Sequence, residues 1–147
     1  FTITMDVKFM NDSLPREGVS LFQSSLVYTE ENPRTGQRRG QKSDGECIVS
    51  MNGGVGNFGT YGDTAKKRVE PNRWTRIVVS VKCSKDPKSE KGEMHTYVDT
   101  ETGAIIKEES IEADERFAID PEQFFLFSSC HANMMPGNIA IRTFRIE

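Results

Sequence analysis

Phe1, Ile3, Met5, Val7 and Phe9 alternate with Thr2, Thr4, Asp6 and Lys8, the period-two signature of a strand with one buried and one wet face. After the turn-forming Asn11-Asp12-Ser13-Leu14-Pro15-Arg16-Glu17-Gly18, a run from Val19 to Tyr28 carries Leu21, Phe22, Leu26 and Val27 among small polar residues. It predicts a second strand, paired with the first or a near neighbour. From Thr29 to Gly45 no apolar residue occurs, so nothing there can anchor to a core, and the segment reads as a long loop.

Glu46 to Met51 predicts a short strand, and Asn52-Gly53-Gly54 a hairpin turn, because Asn and Gly accept the positive φ of tight turns. The return strand, Val55 to Tyr61, is rich in glycine, as bulges or a close backbone approach require. Trp74 to Cys83 is β-branched on both faces and reads as a central strand. Met94 to Asp99 and Ala104 to Glu109 follow it as a meander. Asp120-Pro121-Glu122 has the form of a capped helical turn. Phe124 to Ser128 and Asn138 to Ile146 supply the last strands. Short strands separated by Gly, Pro and Asn clusters predict an all-β sandwich.

The 147 residues fit a single domain, long enough to bury roughly 70% of the surface of the unfolded chain. With 19 basic and 22 acidic residues interspersed, the chain lacks the positive footprint that nucleic acid demands. It also has no apolar run of the roughly 20 residues that a membrane-spanning helix needs, so membrane insertion is not expected. The start at Phe1, inside a strand pattern, is expected of a module from a longer polypeptide. Cys47, Cys83 and Cys130 are an odd and dispersed set, which favours a reducing, intracellular compartment; Asn11-Asp12-Ser13, a glycosylation-type triplet, argues the other way.

Asn72-x-Trp74-x-Arg76 followed by alternating valines, then Tyr97-Val98-Asp99, then Gly137-Asn138-Ile139 to Ile146, resembles in order and spacing the laminin G-like domains of the concanavalin A-like lectin/glucanase superfamily. The resemblance spans most of the chain and implies a jelly-roll sandwich of two antiparallel sheets, with Trp74 packed beside its core. The glycine usual after Tyr-Val-Asp is displaced to Gly103. Glycosidases of the superfamily align carboxylates as Glu-x-Asp-x-x-Glu on one strand, whereas this chain has Glu112-Ala113-Asp114-Glu115, without the last spacing.

No catalytic constellation stands out. The residues picked as ligand contacts are Asn52, Asn57, Tyr61, Asp63, His131 and Asn133. Tyr61 is the better-placed aromatic, and Asp44, Asn52, Asn57 and Asp63 could contribute to the about six to eight oxygens of a Ca²⁺ site if their loops converge. Cys130-His131 lacks the further N/S ligands of a zinc site and reads as an inert thiol beside a histidine. Arg34, Arg38, Arg39 and Lys42 read as a solvated loop, and Met134-Met135-Pro136 as an adaptable apolar tip. The leading expectation is a non-catalytic interaction module that binds a protein partner or a glycan through a sheet face and its rim loops. No cofactor is required. A calcium-assisted lectin and an atypical glycoside hydrolase are the alternatives.

Overall fold

The computed structural model describes residues 1–15, 18–24, 45–57, 60–61, 69–83, 92–100, 106–112, 117–119, 124–127 and 138–147. In chain order the strands are β1 (Thr2–Phe9), β2 (Val19–Ser24), β3 (Gly45–Val49), β4 (Val55–Asn57), β5 (Thr60–Tyr61), β6 (Trp74–Lys82), β7 (Glu93–Thr100), β8 (Ile106–Glu112), β9 (Phe124–Leu126) and β10 (Ile139–Ile146). They form two five-stranded antiparallel sheets, β10-β1-β6-β7-β8 and β5-β4-β3-β2-β9. No described helix is long and apolar enough to cross a membrane.

The alternation in β1 carries through. Ile3, Met5, Val7 and Phe9 are buried in the core shared by the two sheets, as are Ile77, Val79 and Val81 of β6 and Met94 and Val98 of β7. The second sheet contributes Val19, Leu21, Phe22, Cys47, Val49 and Val55 to the same core. Removing each large apolar side chain from water is worth about 1.5–3 kcal/mol, so these facing rows dominate cohesion. Aromatic contacts add direction: the Phe1 ring meets Phe22 edge-on at 6.0 Å, and Phe22 stacks on Phe124 at 5.6 Å. The hydroxyl of Thr96 in β7 donates to the Val55 carbonyl in β4 at 3.3 Å, tying one sheet to the other.

Several expectations are corrected. The second strand, expected to pair with the first or a near neighbour, lies in the other sheet from β1 and pairs with its near neighbour β3 and with β9. All six of its residues are buried, the polar Ser20, Gln23 and Ser24 included. Gly45, expected as loop, opens β3 and accepts a hydrogen bond from the Ser24 hydroxyl at 2.9 Å. The return strand expected from Val55 to Tyr61 is two strands, with Asn57 paired to Thr60, so the glycine-rich stretch reverses the chain once more. Glu112, placed outside a strand by its sequence, ends β8. In the Asn52 turn the left-handed residue is Gly53 at φ 82°, not Asn52; Gly53 N–H bonds the Ser50 carbonyl at 2.9 Å. The capped turn at Asp120-Pro121-Glu122 and most of the Thr29–Gly45 segment lie outside the described residues.

The meander of β6, β7 and β8 is as expected, and β6 sits between β1 and β7. Trp74, expected beside the core, is instead on the outward side of β6 with Arg76 and Val78. Thr75, Ile77, Val79 and Val81 take the inward positions. The register to β1 decides this, since Ile77 pairs with the inward Met5 and Trp74 with the outward Lys8.

Two substitutions test this packing. Ile77→Ala should cost about 2–5 kcal/mol in urea unfolding through the lost side chain and its cavity. Gly18→Ala should cost at least about 1–2 kcal/mol, because φ is +85° there and the added Cβ would lie 2.8 Å from the Val49 carbonyl oxygen. A neutral result for either would contradict the register described.

Candidate functional site

The outward face of the β10-β1-β6-β7-β8 sheet is organised around one carboxylate. Asp6 stands on the wet side of β1, directly opposite Arg76 of β6 and Thr143 of β10. Arg76 donates through Nε to Oδ1 at 2.7 Å and through a terminal nitrogen to Oδ2 at 2.9 Å. That is the bidentate fork which planar guanidinium and carboxylate groups favour. The Asp6 side chain is only 5% exposed, against 48% for Arg76. The Arg76 hydrogen bond holds the Asp6 carboxyl below its ordinary range; burial opposes this, and Thr143, with the charges of Arg76 and Arg142, adds to the lowering.

Arg142 reaches this cluster because of a bulge. The register between β1 and β10 shifts at Asp6/Val7, where Val7 pairs with Ile141 and Asp6 with Thr143, leaving Arg142 as the extra residue. Its Nε lies 4.0 Å from Asp6 Oδ2, and its guanidinium carbon sits 4.8 Å from the centre of the Trp74 ring, within cation–π range. The Arg142 side chain is 61% exposed. Further along the face, Tyr97 is paired with Val78, and both are half-buried. His95 Nε2 lies 2.7 Å from Glu93 Oε2.

The outward side of the other sheet differs in kind. Register places Gln23 opposite Glu46 and Ser20 opposite Ile48, and all four are buried. Among the described residues the Ser20 hydroxyl has no hydrogen-bond partner. On the inward side, Cys47 is enclosed, and burial, followed by the Glu46 charge, pushes its thiol far up; such a group is inert as a nucleophile. Among the described residues, no three His, Cys, Asp or Glu side chains are grouped to hold a metal ion.

Of the residues picked from sequence, Asn52, Asn57 and Tyr61 are among the described residues. Asn52 is exposed in the turn between β3 and β4, and Asn57 is the last residue of β4. Tyr61 pairs with Gly56 in β5. Asp63, His131 and Asn133 lie outside the described residues, as do Asp44, Cys130 and Met134-Met135-Pro136. Asp6, Arg76 and Arg142 were missed as a cluster. One signal for it exists: the apolar positions of the last strand run Ile139, Ile141, Phe144, Ile146, and the change of spacing from two to three marks the bulge. Nothing local, in contrast, links Asp6 to an arginine 70 positions away.

Compared with known proteins, the chain matches no family model, no curated protein and no solved structure.

Arg76→Ala should cost about 1–3 kcal/mol by stranding the Asp6 carboxylate, towards the lower end because the arginine is half exposed. Since folded Asp6 binds its proton less readily than the unfolded group, its contribution is complete above the ordinary carboxyl value near 3.8 and is lost as pH falls through the lowered folded value. The stability gap between wild type and Asp6→Asn, measured by denaturation across pH, should therefore be widest at neutral pH and shrink in acid. A gap independent of pH would refute the ion pair.

Proposed function

We propose that this chain is a non-catalytic interaction module, a jelly-roll sandwich of the laminin G-like kind, that holds a protein partner against the outward face around Trp74. The observation that carries this is the Trp74–Arg142 stack, poised on an accessible sheet face by Asp6 and Arg76. Trp, Tyr and Arg are the residue types that dominate protein-binding energy, and this face presents Trp74, Tyr97, Arg76 and Arg142 together. Arginine side chains already pinned to a ring and a carboxylate lose less freedom on binding than loose ones.

The same stack disfavours a sugar at Trp74, because a guanidinium already covers the ring that would receive a pyranose. The non-catalytic reading rests on Asp6, which is engaged by Arg76 on both oxygens and is held ionised, so it is a poor general acid. A glycan reading retains one favourable observation: the unbonded Ser20 hydroxyl beside Gln23 and Glu46 on the other sheet. Those side chains are closed to solvent, and the open face is the better candidate.

Immobilised wild-type chain should retain protein from an extract of its source, and Trp74→Ala combined with Arg142→Ala should weaken that retention at least about tenfold, the scale of a hot-spot loss. A glycan array should be flat with and without chelator. Glycan binding that chelator abolishes and the double variant leaves intact would overturn this reading in favour of a lectin.

A further inference from the structure

β10 is an edge strand whose free side is aimed by the ladder on its other side. Thr2 and Glu147 exchange hydrogen bonds at 2.8 and 2.9 Å, so Glu147 faces β1 with both backbone groups. In an antiparallel pair, bonded and non-bonded positions alternate. Arg145 opposite Thr4 and Thr143 opposite Asp6 are thus bonded positions, while Phe144 opposite Met5 and Ile146 opposite Ile3 turn their N–H and C=O groups away from β1. The other side of β1 agrees: the terminal amine of Phe1 and the Val81 N–H bond each other's carbonyls, so the odd-numbered residues of β1 face β6. Among the described residues β10 pairs with β1 alone.

Of the features that discourage strand addition, this edge has the bulge at Arg142 and two exposed arginines, but beyond the bulge Thr143 to Ile146 runs regularly. The strand is eight residues long, contains no proline, and leaves Ile141 and Ile146 47% and 42% exposed beside the core. Its outward side instead bears Arg142 and Arg145, both exposed. A strand laid antiparallel against Phe144 and Ile146 would place alternate residues on the two sides. Apolar residues would cover Ile146 and Phe144, and acidic residues would meet Arg145 and Arg142.

Resting on the reading of this face as a protein-binding surface, we propose that the partner is an extended segment of alternating apolar and acidic residues that adds as a sixth strand to β10. Backbone bonds to Phe144 and Ile146 supply the pairing, and the two arginines select acidic side chains over basic ones. The stack of Arg142 on Trp74 joins this edge to the start of the central strand β6, so one partner engages both.

The test uses a capped peptide, Val-Glu-Val-Glu-Val-Glu, titrated into the whole chain and followed by amide hydrogen exchange. Two controls are the same peptide with Lys for Glu and one with the three valines and three glutamates in separate blocks. Binding of the first peptide alone, with slowed exchange at the Phe144 and Ile146 amides, is the expected result. Arg145→Glu should weaken binding at least tenfold. Ile146→Pro should abolish it without unfolding the chain, because that N–H takes no part in the ladder to β1. Equal binding of the blocked peptide, or binding without protection of those amides, would overturn strand addition. If no peptide binds while Trp74-dependent retention of protein persists, strand addition is wrong and the module reading stands; if both fail, both fall.

Discussion

β1 is the constraint on which the first sheet depends. It is bonded on one side to β6 and on the other to β10, and its inward residues Ile3, Met5, Val7 and Phe9 are sealed in the core. A slip of one residue would turn that apolar row to solvent and send Thr4 and Asp6 inward, so the register is strongly specified. Given that register, Asp6 must stand between Arg76 and Thr143, and the outward position of Trp74 follows from its pairing with Lys8. The polar cluster is thus a consequence of the apolar one.

The two sheets use their outward sides differently. On the first, the described side chains other than the enclosed Asp6 are half-buried or exposed and include aromatic and arginine groups. On the second, Ser20, Gln23 and Glu46 are as enclosed as the core, with Ile48 among them. Burial of polar groups is costly unless they are bonded, and Ser24 to Gly45 and Ser50 to Gly54 show how local backbone partners meet that need. That contrast is the reason the proposed partner is placed on the first sheet.

Strand identity was legible wherever one face is wet and the other dry, as in β1, or where β-branched residues are concentrated, as from Ile77 to Val81 in β6. Pairing was less so: Val19 to Ser24 resembles a half-buried strand in composition, yet both its sides are enclosed, and only the tertiary structure shows it belongs to the second sheet. Trp74 was drawn inward by its resemblance to a core position, although alternation from Ile77 already puts it outward. The site was the least legible part. Its members, Asp6, Arg76 and Arg142, come from three strands distant in sequence, and the arginine stack requires a bulge that only the Ile141-to-Phe144 spacing betrays.

The central claim, that β1 fixes the sheet and is, among the described residues, the one strand bonded to β10, is most directly tested by residue-resolved amide hydrogen exchange of the chain alone. The account predicts slow exchange along β1 and β6 and an alternating pattern in the last strand, with Thr143, Arg145 and Glu147 protected and Phe144 and Ile146 fast. Uniform protection along β10, or fast exchange in β1, would contradict it.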